Sequence, residues 1–117
     1  MIKMELYKGK DDTGNWVYGG ITENKKFIVS KFQFIPVSPE TVFKNTGIVD
    51  DNGTYIYEGD ILTTETIFNA LKYKVVWDSK FASFCLQSLD SPKLKKFLNC
   101  ENHYNIIGNI IDDTDLI

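Results

Sequence analysis

Glu58 and Asp60 flank Gly59, so on an extended chain their carboxylates share a side, as paired acid–base work or a bound hard cation such as Mg²⁺ would require. Such cation sites usually collect carboxylates from separated elements, and no third acidic residue is marked. The plainer reading is that both side chains accept backbone hydrogen bonds and shape the turn at Gly59. Asp50 and Asp51 form a second acidic pair beside Asn52-Gly53, where Asp is favoured for local backbone hydrogen bonding. Cys100 and His103 have the residue types of a nucleophile and its base, but a third group to orient the histidine is not evident. A structural metal site is not expected either: the chain has two cysteines and a single histidine, too few ligands of the usual kind. No cofactor is indicated.

A last group is cationic. Lys93, Lys95 and Lys96, with Lys72 and Lys74, have Tyr73 and Trp77 close in sequence, the combination that small barrels use to hold single strands. The chain carries a net charge of −3, so general attraction to phosphate is weak and nucleic-acid binding is the alternative reading rather than the first.

The elements that must position these groups read mainly as strands. Asn52-Gly53 predicts a type I′ hairpin turn, with positive φ at both central residues. Thr54–Tyr57 is aromatic and β-branched, and Ile61–Thr64 resumes the pattern after Gly59. Tyr73–Trp77 pairs with Ile61–Thr64, leaving 65–71 as the connection; Tyr73, Val75 and Trp77 share its buried face. Phe81–Leu86 follows through a turn at 78–80. Upstream, a polar turn over 8–15 leads into Trp16–Tyr18, and Phe27–Ile35 reads as one long strand apolar on both faces. Ser38-Pro39 has the form of a helix start, but Thr41–Phe43 reads more strongly as strand. The one helix is expected over 92–98, where Ser91 caps, Pro92 opens and Leu94, Phe97 and Leu98 fall on one face. Tyr104–Ile111 alternates as a strand, and the acidic residues after it are expected to fray.

Several of these pieces together resemble the YopX family of phage and prophage proteins. They are Tyr7–Lys10 and Gly14–Gly19 near the start, Thr46-Gly47, Asp51–Gly53, Ile56–Ile61, Val75–Trp77, and Ile106–Ile110 near the end. The Ile-Tyr-Glu-Gly-Asp-Ile and Ile-Gly-Asn-Ile strings are the most specific. The resemblance implies a small, β-rich, self-associating protein without an established biochemical activity, and brings no catalytic residues with it.

With 117 residues, the chain has room for a single domain or for two small β subdomains, 1–47 and 48–117. The expected fold is mainly β, with roughly seven to nine short strands and SH3-like, barrel-like subdomains. At 43% hydrophobic and 25% charged residues it has the composition of an ordinary globular protein. No export signal or apolar run of about 18 residues is present, so a cytoplasmic protein with reduced thiols and no membrane partner is expected. Aromatic residues make up 14% of the chain and dominate interface cores elsewhere. The expected function is therefore non-catalytic binding, by a homo-oligomer that engages a host protein or a small ligand. Trp16, Tyr18, Tyr57, Glu58, Asp60 and Trp77 are the candidate structural or interaction residues.

Overall fold

The computed structural model describes residues 4–64 and 71–117, and the chain divides into two compact units, Met1–Asn45 and Thr46–Ile117. Both are built from antiparallel strands, and the mainly β expectation holds. Most of the expected connection over 65–71 lies outside the described residues.

In the first unit β1 (Tyr7–Lys10), β2 (Trp16–Ile21), β3 (Phe27–Ser30) and β4 (Gln33–Pro36) form a meander, and the beginning of β5 (Phe43–Val49) pairs with β1 at Lys8 and Phe43. The first turn is shorter than expected, because β1 continues to Lys10. Asp11 then closes the reversal, its Oδ1 accepting the Thr13 hydroxyl at 2.7 Å and the backbone N–H groups of Asn15 and Thr13 at 2.9 and 3.0 Å. The Thr13 hydroxyl first, then the Asn15 N–H, hold the Asp11 carboxyl below its ordinary range.

The long strand expected over 27–35 is two strands. The chain reverses at Lys31-Phe32, with φ of 48° and 67°, so that Ser30 pairs with Gln33 and Val29 with Phe34. Neither residue type signals a tight turn, which is why the alternation reads as continuous. The strand expected over 41–43 is also revised. Pro39–Thr41 is a 3₁₀ turn with Ser38 at its N-cap position. Thr41 locks it, accepting the Lys10 N–H at 2.8 Å and donating to the Ser38 carbonyl at 2.6 Å, so β5 begins only at Phe43.

The second unit contains the rest of β5, β6 (Tyr55–Tyr57), β7 (Asp60–Thr64), β8 (Lys72–Asp78), β9 (Ser83–Ser88), β10 (Lys95–Phe97) and β11 (Tyr104–Asn109). Its five-stranded sheet has the order β10-β9-β8-β7-β11. Among the described residues the sheet ends at β10 and β11 and forms no closed barrel, which corrects the barrel-like part of the expectation while its mainly β part holds. One face buries Ile56, Leu62, Tyr73, Val75, Leu86, Leu98 and Tyr104 together, with Ile48, Phe84 and Ile106 packed against them. Each fully buried side chain of this kind stabilises the fold by about 1.5–3 kcal/mol.

The expected helix over 92–98 is absent. The Leu94 N–H bonds back to the Ser91 carbonyl at 2.8 Å, and the chain then extends, pairing Lys95, Lys96 and Phe97 with Gln87, Leu86 and Cys85. Seven residues are too few for an isolated helix to offset its nucleation cost, while β9 offers a row of backbone partners. Leu98 is buried, whereas Leu94 and Phe97 stay exposed. With this strand and the split of 27–35, the described residues hold eleven strands, more than expected.

Candidate interaction surface

Of the acidic residues that invite a catalytic or metal reading, Asp60 and Asp50 accept backbone hydrogen bonds. Gly59 has φ of 85°, a conformation a Cβ would oppose, and its N–H and carbonyl bond Val75 O and Ile110 N at 2.8 and 2.9 Å. Asp60, only 3% exposed, turns its Oδ2 onto the Tyr57 N–H at 2.8 Å. Asp60 thus fixes the tight passage from β6 to β7, with Glu58 half-buried beside it.

Asp50 works similarly. Its Oδ1 accepts the N–H groups of Asn52 and Thr54, both at 2.9 Å, while Gly53 N–H bonds Asp50 O at 3.0 Å. Gly53 alone takes a positive φ, of 79°. The hairpin is therefore a type I turn closed by a left-handed glycine, not the expected type I′, and the Asp50 carboxylate selects it. Asp51 meets the His103 ring, Oδ1 to Nδ1, at 3.0 Å. His103 is thus engaged by an aspartate from a distant hairpin, and Cys100 is an exposed thiol in the preceding turn. Cys85 is buried in β9; burial, with a smaller effect of Asp78, pushes its thiol up. Among the described residues no group of three or more His, Cys, Asp or Glu side chains is placed to hold a metal ion.

The aromatic candidates do not converge on one place. Trp16 is half-buried in the first unit, its ring 6.2 Å from that of Phe43, with Lys8 Nζ 4.5 Å and Lys10 Nζ 5.2 Å from its centroid. Tyr18, in the same unit, is exposed on β2. Tyr57 is buried on β6. Trp77 lies at the far end of β8, 46% exposed and edge-on to Phe84 at 5.0 Å, so the expected burial of the Tyr73–Val75–Trp77 face ends before Trp77.

More prominent are aromatics that sequence reading passed over. Phe32 is fully exposed at the tip of the β3–β4 hairpin and Phe34 is 67% exposed on β4, the last strand of its sheet. On the second unit Phe81 and Phe97 meet edge to face at 5.6 Å and both stay largely exposed. The first depends on a chain reversal at Lys31-Phe32 that the sequence did not signal, and the second on 95–97 being a strand rather than the expected helix.

The end of the chain carries the other specific motif. β11 bulges at Ile107, since Ile106 faces Leu62 and Gly108 faces the next residue back, Ile61. Asn109 Oδ1 accepts the N–H groups of Ile111 and Asp112 at 2.9 and 2.8 Å, and Asp113 Oδ2 accepts the Asn109 N–H at 3.0 Å. The acidic tail expected to fray is instead folded back, ending in a 3₁₀ turn at Thr114–Leu116.

A sequence model, YopX protein, matches residues 2–117. The chain belongs to the YopX family. No curated protein matches it. The two strings that carry the resemblance to YopX proteins thus have physical roles: Ile-Tyr-Glu-Gly-Asp-Ile is the β6–β7 turn, and Ile-Gly-Asn-Ile is the β11 bulge with its capped exit.

Gly108 belongs to this last motif for want of space. A Cβ there would lie 2.6 Å from Asp113 Oδ2 and 2.7 Å from its Cγ. We expect Gly108→Ala to cost about 2 kcal/mol and Asp113→Ala about 1 kcal/mol. The double variant should cost clearly less than their sum, because removing the carboxylate makes room for the methyl group. Urea unfolding of all four proteins measures this coupling, and strict additivity would contradict the contact.

Proposed function

We propose that this YopX family member is a phage or prophage accessory protein that acts by non-catalytic binding, associating with copies of itself through β4. The observation that carries this reading is the β3–β4 hairpin. Two bulky residues, Lys31 and Phe32, occupy left-handed backbone at its tip, at a cost of about 1–2 kcal/mol each, and the Phe32 ring lies wholly in solvent. Strain and exposure together in one turn accompany function more often than stability. β4 adds Phe34 and a strand edge, which presents backbone donors and acceptors to an incoming strand. A second copy supplies the same edge, and a two-fold antiparallel pairing would bring the two sets of rings together. The assembled surface would then engage a host protein or a small ligand.

Native mass spectrometry of the full chain tests the assembly, with Lys31→Asn/Phe32→Gly as the deciding variant. Asn-Gly suits a type I′ turn, so the variant should fold and gain about 1–2 kcal/mol of stability. It should also lose the oligomer that the unaltered chain forms. A monomeric unaltered chain, or an oligomer that this variant leaves intact, would overturn the reading.

A further inference from the structure

The sheet of the second unit segregates charge. Residues 71–98 hold six lysines against two aspartates, a local excess of +4 in a chain whose net charge is −3. Because segment 95–97 is a strand rather than a helix, pairing fixes which of these side chains share a face. Lys74, Gln87 and Lys95 stand in one row across β8, β9 and β10, and Val76, Cys85 and Phe97 form the next. Lys74 and Lys95 therefore lie two strand spacings apart, about 10 Å. Phe81 comes up from the β8–β9 turn to meet Phe97, and Lys80 Nζ is 5.7 Å from the Phe81 ring. The one carboxylate in this group is Asp78, whose Oδ2 lies 3.6 Å from Lys95 Nζ.

We propose that this face of β8–β10 binds single-stranded nucleic acid, the lysines meeting phosphates and the Phe97 and Phe81 rings meeting unpaired bases. The site belongs to the second unit, whereas the β4 edge belongs to the first, and it extends the function proposed above. Charge complementarity selects an anionic occupant. The exposed rings select among anions, since a single strand offers a flat π-face at every nucleotide, whereas an acidic peptide would leave both rings in water. Lysine suits the task as a point charge that tolerates any backbone path.

Fluorescence anisotropy of a labelled oligothymidylate of about 20 nucleotides against the full chain tests the proposal. Three to four phosphate contacts give a log–log salt slope of about −2 to −3, which is roughly a 30-fold weakening between about 50 and 200 mM salt. Lys74→Ala/Lys95→Ala should flatten the slope by about 1.4, and Phe97→Ala should weaken binding roughly tenfold. Asp78→Asn should tighten binding, a gain that damage to the fold cannot produce. Lys25→Ala/Lys26→Ala, in the first unit, should leave it unchanged. The proposal is overturned by an oligonucleotide that fails to bind at about 50 mM salt, by a slope indifferent to Lys74 and Lys95, or by polyglutamate binding as tightly with the same dependence on Phe97.

Discussion

Gly19→Ala should lower the stability of the fold by about 3 kcal/mol, while the same change at its neighbour, Gly20→Ala, should be nearly neutral. The two glycines lie side by side in β2, yet their surroundings differ. A Cβ on Gly19 would overlap the carbonyl oxygen of Val29 and lie 3.1 Å from Cγ2 of Ile28, a side chain with no exposure at all. The first obstacle is backbone, so no rotamer change relieves it, and β3 must move away from β2. At Gly20 the nearest atom is the Cβ of Val29 at 4.0 Å, ordinary contact distance. Removing a glycine also reduces the freedom of the unfolded chain, which offsets part of any cost there. Urea unfolding reads both variants, with amide hydrogen exchange localising the loss to β2 and β3. Equal midpoints for Gly19→Ala and Gly20→Ala would contradict this account of their packing.

Asp60→Ala should cost about 3 kcal/mol, and Asp60→Asn about 1 kcal/mol. Alanine leaves the Tyr57 N–H buried without its 2.8 Å acceptor and opens a void where the carboxylate stood. Asparagine keeps an oxygen in the same place but gives up the charge-assisted part of the bond. Glu58→Ala, at a half-buried position beside it, should cost less than about 1 kcal/mol. This asymmetry separates a turn-forming Asp60 from a working carboxylate pair, in which both members matter to function and neither is needed for stability. Thermal and urea unfolding of the three variants decide it. A stable Asp60→Ala protein would reopen the paired-carboxylate reading.

Sequence reached furthest where a feature is made by residues close together in the chain. Gly53 and Gly59 stand where turns need them, and the plain reading of Asp60 needed only the local preference of aspartate beside glycine. That β7 pairs with β8 was legible in the alternation of the two segments, whereas the register, with Leu62 opposite Tyr73, is set by the structure. Features set by distant partners were hidden. Leu94, Phe97 and Leu98 satisfy a helical spacing, but Lys95 and Phe97 equally satisfy a strand, and only the unpaired edge of β9 decides between them. Lys31-Phe32 turns the chain without a single favourable turn residue, so no propensity announces it. The return of the tail depends on Asp113 finding the space above Gly108, which alternation does not encode. The candidate surfaces inherit the same limits: Phe34 and Phe97 stand out only once their strands are known to lie at sheet ends.

During synthesis the two units become complete at different moments. The first has all its strands once Asn45 has left the ribosome, and it can close through neighbouring hairpins. The second must wait for Tyr104, a core residue 1% exposed that is made some forty residues after its sheet partner Thr64. Until β11 arrives, β7 shows an unpaired edge of backbone N–H and C=O groups on its far side, the kind of template stray strands recognise. Slow translation between β8 and β11 would therefore cost more soluble protein than an equal pause earlier in the message.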